Sequence, residues 1–124
     1  MADAPHLPAP AQIDSYGNGG FRFGGMSHRG SLLCLPDGIW AWPVIDVRDI
    51  TTSSLEMVFK RAADLHVFLI GAGRDPWRIS DRLRQHFRDA GISVDAMTTG
   101  AAAQTYNILL EEGRRVGAAL IAVE

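Results

Sequence analysis

The chain has 124 residues, one domain's worth, and its apolar fraction of 47% allows a core of ordinary size. A net charge of −2 gives no drive toward nucleic acid or anionic lipid, and the single cysteine, Cys34, excludes an internal disulfide. No apolar run reaches the ~20 residues needed to cross a bilayer, so direct membrane insertion is not expected.

The first stretch, MADAPHLPAPAQ, is rich in Pro and Ala. It has neither the apolar run of a secretory signal nor the arginines of a mitochondrial one. It reads as a flexible tail over residues 1–12, followed by a single domain over 13–124. Lys60 is the only lysine, against eleven arginines, which reads as base composition rather than function. With the unpaired cysteine, this points to a reducing bacterial cytoplasm.

The first half of the domain reads as strands. The glycines Gly17, Gly19, Gly20, Gly24 and Gly25 suggest a tight turn followed by a bulged or closely approached strand. Phe21 to Met26 is expected as one strand, with a hairpin turn at Ser27-His28-Arg29-Gly30. Ser31 to Leu35 is the next strand, and Pro36-Asp37-Gly38 is a turn in which Pro presets φ. Ile39 to Pro43 continues the meander, with Trp40 and Trp42 on one side by period two.

The second half alternates helix and strand. SSLEMVFKRA opens with Ser53 and Glu56 at capping-box spacing. LHVFLIG has the continuous apolar character of a strand buried on both faces. Ile79, Leu83, Phe87 and Ala90 recur at helical spacing, with Gly91 as the stop. ISVDAM is a strand. A helix follows, with Thr98 or Thr99 as its cap, Ala101, Thr105, Ile108 and Leu109 as its face, and Gly113 as its end. VGAALIAV is the last buried strand. The order implies right-handed crossovers and a largely parallel core, to which the meander adds antiparallel strands or a second layer.

Two loops are candidates for a site. GAGRDPWR follows a buried strand, where open α/β sheets bind ligands. Gly71 and Gly73 match the start of a dinucleotide fingerprint, but Pro76 holds the third glycine position, which argues against it. Arg74 offers a planar fork and Trp77 a large face to an anion or a partner. Thr98 and Thr99 open a helix, and the loop before them would share a crevice with Gly71 to Arg78. That helix end is either an anion cradle or an ordinary threonine cap, with alanines packed close on the sheet; the second is the commoner arrangement. Thr105 is expected to return its hydroxyl to a carbonyl four residues back. Tyr106 and Asn107 are placed to touch the meander. Cys34, inside SLLCLP, reads as an inert small hydrophobe. The histidines lack metal-ligand spacing, no Ser sits in a nucleophile elbow, and no cofactor is expected.

The blocks IDSYGNGGFRFGG, LPDGIWAWPV, LIGAG, AGISVDAM and TTGAAAQTYNILLEEGRRVGAAL, in that order, resemble the Mth938-like domain family from about Ile13 onward. The resemblance implies an α/β, three-layer fold: a central mixed sheet, helices on one side, and an added N-terminal β-meander layer. It implies no established enzyme activity. Eukaryotic members are linked to assembly of respiratory complex I, so it implies an interaction or assembly protein with a protein partner. Independently of the resemblance, the oligomeric state is left open, with a monomer favoured. The other reading is a small-molecule protein or enzyme that takes an anion or nucleotide in the crevice. The family pattern falls on Gly19, Gly20, Phe21, Pro36, Gly38, Trp40, Gly71, Gly73, Thr99, Thr105, Tyr106, Asn107, Glu112 and Arg114. The family commonly has Thr between the two glycines of the loop; this chain has Ala72, which weakens a ligand role there.

Overall fold

In the computed structural model, which describes residues 4–124, the first three strands form a small antiparallel sheet. They are β1 (Ile13–Gly17), β2 (Gly20–Phe23) and β3 (Met26–Arg29). Two-residue turns join them at Asn18-Gly19 (φ 52° and 81°) and Gly24-Gly25 (φ 55° and 78°). Positive φ at both central residues matches the right-handed twist of the flanking strands. The expected strand from Phe21 to Met26 is therefore broken at Gly24-Gly25. Ser27, His28 and Arg29, expected as a turn, lie in β3. The glycine pair makes the turn itself, where a bulge was expected.

The remaining strands are β4 (Ser31–Leu35), β5 (Gly38–Trp42), β6 (Val67–Gly71), β7 (Ser93–Met97) and β8 (Val116–Leu120). They form one sheet in the order β5-β4-β8-β6-β7. β4 is antiparallel to β5 and β8, while β6 runs parallel to β7 and β8. Among the described residues three α-helices accompany it: α1 (Glu56–Phe59), α2 (Asp81–Asp89) and α3 (Thr99–Glu111). The chain steps from β6 outward to β7, then back past β6 to β8. A fixed right-handed crossover sends helices joining opposite steps to opposite faces. So α2 and α3 cover different sides, which is why β6 and β8 are apolar on both faces.

Each face has its own core. On one, Leu33, Leu35, Trp40, Trp42, Phe68 and Ile70 meet Val58 of α1 and Leu83 and Phe87 of α2. On the other, Leu32, Cys34, Leu69 and Leu120 meet Ala102, Ala103 and Tyr106 of α3 and Ile13, Phe21 and Phe23 of the small sheet. The mixed α/β sheet with an added β layer is as expected. One placement differs: α3 shares its side with the added layer, and only α1 and α2 lie on the other.

Local details also differ. Of the stretch expected to be a tail, residues 1–3 lie outside the described residues. Further along it, Leu7 bridges to Ile39, with N–H···O distances of 2.8 Å from His6 and 2.9 Å back to Leu7. Ser53 and Glu56 do not form the expected box. A 3₁₀ turn covers Ser53–Leu55 and α1 starts only at Glu56. The reciprocal hydroxyl bonds are instead Thr51 N–H to Ser54 Oγ (2.9 Å) and Ser54 N–H to Thr51 Oγ1 (3.1 Å). Ile79 lies before α2, whose cap is Ser80. The buried face of α3 is Thr99, Ala102, Ala103 and Tyr106, whereas Ala101 and Ile108 of the expected face are exposed. Tyr106 is the only ring on that helix, and burying it turns the helix away from the expected stripe.

Candidate functional site

The loops after β6 and β7 leave to opposite faces, so the crevice between them is the switch point at which such sheets take ligands. Here the chain's own hydrogen bonds span part of that crevice. Thr99, fully buried, donates its hydroxyl to the Ile121 carbonyl (2.7 Å) and accepts the Gly73 N–H (3.0 Å). Its own N–H donates to the Gly73 carbonyl (2.9 Å). Ile121 N–H in turn donates to the Gly71 carbonyl (2.9 Å). One threonine thus ties together the chain leaving β6, the start of α3 and the chain leaving β8.

The helix end is occupied in the same way. Thr98 is the cap, its hydroxyl accepting the Ala101 N–H at 3.4 Å and its carbonyl the Ala102 N–H at 2.9 Å. Tyr16 stands over Gly100, so close that a Cβ there would lie 2.2 Å from the phenol oxygen. An electropositive helix end needs open N–H groups to hold an anion; here those of Thr99 and Ala101 are already taken, by the Gly73 carbonyl and the Thr98 hydroxyl. The alanines serve close packing. A Cβ on Gly71 would lie 3.0 Å from Thr99 Cα and 3.2 Å from Ala102 Cβ, so α3 rests directly on the backbone of β6.

Tyr106 and Asn107 do not line the crevice. Tyr106 is wholly buried among Ile13, Phe21, Phe23 and Cys34. Its hydroxyl has no hydrogen-bond partner among the described residues, and burial raises its pKa. Tyr106→Phe is therefore expected to hold or raise stability, by up to ~1 kcal/mol, since it removes a buried, unsatisfied hydroxyl; urea unfolding measures it. Asn107 clasps β1 as a further strand would. Its Oδ1 accepts the Ile13 N–H (2.7 Å) and its Nδ2 donates to the Ile13 carbonyl (2.8 Å). Both residues thus meet the meander, as expected. Thr105 does not bond a carbonyl as expected; its hydroxyl lies 3.7 Å from Met97 Sδ. Cys34 is buried and its thiol is pushed up to about 12, so it stays protonated and is no nucleophile at neutral pH.

What faces outward is the loop surface around Arg74. Arg74 is exposed and donates to the main-chain oxygen of Glu124. Two shallow cavities adjoin it. One, of about 350 Å³, is lined by Ile45, Pro76, Trp77 and Val123; the other, of about 560 Å³, by Tyr16, Thr98, Gly100 and Gln104. Gly73 and Arg74 border both. Trp77 is half-buried against the core. Ile45 stands 84% exposed beside it. Sequence reasoning missed Ile45, because an isolated isoleucine between Val44 and Asp46 carries no periodic signal.

Comparison with known proteins gives three further facts. Residues 13–121 match the family described as "Protein of unknown function (DUF498/DUF598)". The chain is 33% identical over 115 residues to NADH dehydrogenase (ubiquinone) 1 alpha subcomplex assembly factor 3 of Rattus norvegicus; the match covers 93% of this chain but only 62% of the rat protein's length. Two solved structures share the fold. The crystal structure of an outer membrane protein from Bartonella henselae is 44% identical, with a TM-score of 0.92 over 96% of this chain and 100% of that one. The solution NMR structure of a Bordetella pertussis protein, a Mth938-like domain, is 28% identical, with a TM-score of 0.80 over 98% of this chain and 90% of that one.

Proposed function

Since the chain belongs to the Mth938-like (DUF498/DUF598) family, we propose that it is a non-enzymatic interaction protein that assists assembly of respiratory complex I in the bacterial cytoplasm. The similarity to an assembly factor along nearly the whole chain carries this reading. The bonding of Thr99 favours it over a ligand cradle, because its hydroxyl and its N–H are already used within the chain. The partner docks on the loop surface of Arg74, Trp77 and Ile45. An exposed aliphatic side chain beside a Trp and an Arg is the composition of a protein-binding hot spot. Among the described residues no helix is long and apolar enough to cross a membrane, so the chain reaches membrane subunits through contacts rather than insertion.

Deletion of the gene in its own organism tests this. Assembled complex I on native gels, and NADH:quinone activity of membranes, are expected to fall. Wild-type protein is expected to restore both, and Arg74→Glu is not, although its exposed position leaves unfolding within ~0.5 kcal/mol of wild type. The tagged chain is expected in the cytoplasmic fraction. Unchanged complex I in the deletion strain overturns the assembly role, full rescue by Arg74→Glu overturns the surface, and recovery with the outer membrane overturns the location.

A further inference from the structure

The outer face of the three-stranded sheet carries a charge pattern that the fold does not use. Cross-strand register puts Ser15, Arg22 and Ser27 in one row, and Gly17, Gly20 and Arg29 in the next. Phe21 and Phe23, on either side of Arg22, are buried in the core, so Arg22 faces the other way, into solvent. Arg29 is the diagonal neighbour of Arg22, a separation of ~7–8 Å that two long side chains readily span. These six residues line a shallow cavity of about 330 Å³ to which no carboxylate contributes.

The two arginines are not held by the protein's own acids. Arg22 makes no hydrogen bond or ion pair among the described residues, and Arg29 makes one, from Nη1 to the Asn18 carbonyl at 3.3 Å. Arg48 is paired with Asp46, and Arg61 with Asp37 at 2.7 Å, whereas Arg78, Arg82 and Arg84 are, like Arg22, without an ion pair among the described residues. Like charges directly opposite one another weaken a sheet, and the diagonal placement of Arg22 and Arg29 avoids that. The two arginines share their rows only with hydroxyls and glycines; the nearest acid is Glu124, whose Oε2 shares with Arg29 Nη1 the space beside Gly19.

We propose that this face binds a phosphate-bearing ligand. Arg22 and Arg29 supply the guanidinium forks, and Ser15 and Ser27, on the strands either side of Arg22, supply hydroxyl donors. Four donor groups spread over three strands surround a tetrahedral oxyanion with several free oxygens better than a planar carboxylate, which offers two. The surface adjoins the loop around Arg74, since Tyr16 lines both this cavity and one of the two beside Arg74.

NMR titration of the arginine Nε–H signals tests it, with inorganic phosphate, O-phosphoserine and, at matched ionic strength, acetate as probes. Saturable shifts of the Arg22 and Arg29 signals are expected with the two phosphates and not with acetate. Arg22→Gln is expected to weaken phosphate affinity about 10-fold, the worth of one charge-assisted bond pair. The Arg22→Gln/Arg29→Gln double variant is expected to abolish binding, while Arg82→Gln on α2 leaves it unchanged. Tighter binding of O-phosphoserine than of phosphate identifies an ester as the ligand; equal binding identifies the free ion. Shifts that grow without saturating, an equal response to acetate, or affinity that survives the double variant each overturn the proposal.

Discussion

Thr99→Val is expected to lower the unfolding free energy by about 2–4 kcal/mol. Valine matches threonine in shape, so the cavity stays filled, and the backbone N–H to Gly73 is kept. What goes is the hydroxyl, and with it the partner of the Gly73 N–H and of the Ile121 carbonyl. Thr99 is fully buried. Each buried group left without a partner costs about 1–3 kcal/mol. Urea unfolding measures the loss. Thr98→Val is the control. It removes a long capping bond at a partly exposed site, for which about 1 kcal/mol is expected. A Thr99→Val protein as stable as wild type would mean that water enters and satisfies both groups, and the crevice would then be open to ligands.

Ala102→Leu is expected to cost about 1–3 kcal/mol through overpacking. Ala102 is wholly buried where α3 meets β6, and the spacing is set by Gly71, which has no room for even a methyl group. Three extra carbons must displace α3 from the sheet or force strained rotamers. Displacement would also stretch the Thr99 bonds, since both residues sit in the first turn of the helix. Ala101→Leu, one residue earlier and exposed, is expected to leave stability within ~0.5 kcal/mol. The contrast between neighbours separates burial from helix propensity, and an unchanged midpoint for Ala102→Leu would show that α3 does not rest on the sheet backbone.

Helix–strand alternation after Leu65 was legible because each element announces itself locally. Phe68, Leu69 and Ile70 form a run that only a strand covered on both faces requires, and Leu83 and Phe87 repeat at helical spacing. Trp40 and Trp42 were assigned to one face by period two, and both lie in the same core. The hairpin at Gly24-Gly25 was not legible, because glycines carry no side chain whose alternation could reveal a reversal. β1 was hidden for a related reason: of its five residues only Ile13 is buried. The face of α3 was misread because alanine, threonine and isoleucine give a weak stripe, and Tyr106 chooses the orientation only once its pocket exists. The threonine tie needed Gly73, Thr99 and Ile121 together, three positions that no local pattern connects. The candidate loop at Gly71 to Trp77 was found in sequence. That the chain itself bonds across part of the crevice could be read only from the hydrogen bonds.

The clasp between Asn107 and Ile13 joins residues 94 apart, and β4 finds its second neighbour only in β8. During synthesis, therefore, the β4–β5 hairpin leaves the ribosome with one side bare, and the first strand waits for the last helix. A chain made at ~5–20 residues per second spends several seconds in that state. Its apolar strands are exposed for that interval, so the yield of folded protein depends on how fast the final twenty or so residues emerge. Rare codons placed in that last stretch are expected to act on solubility more than the same codons placed before β4.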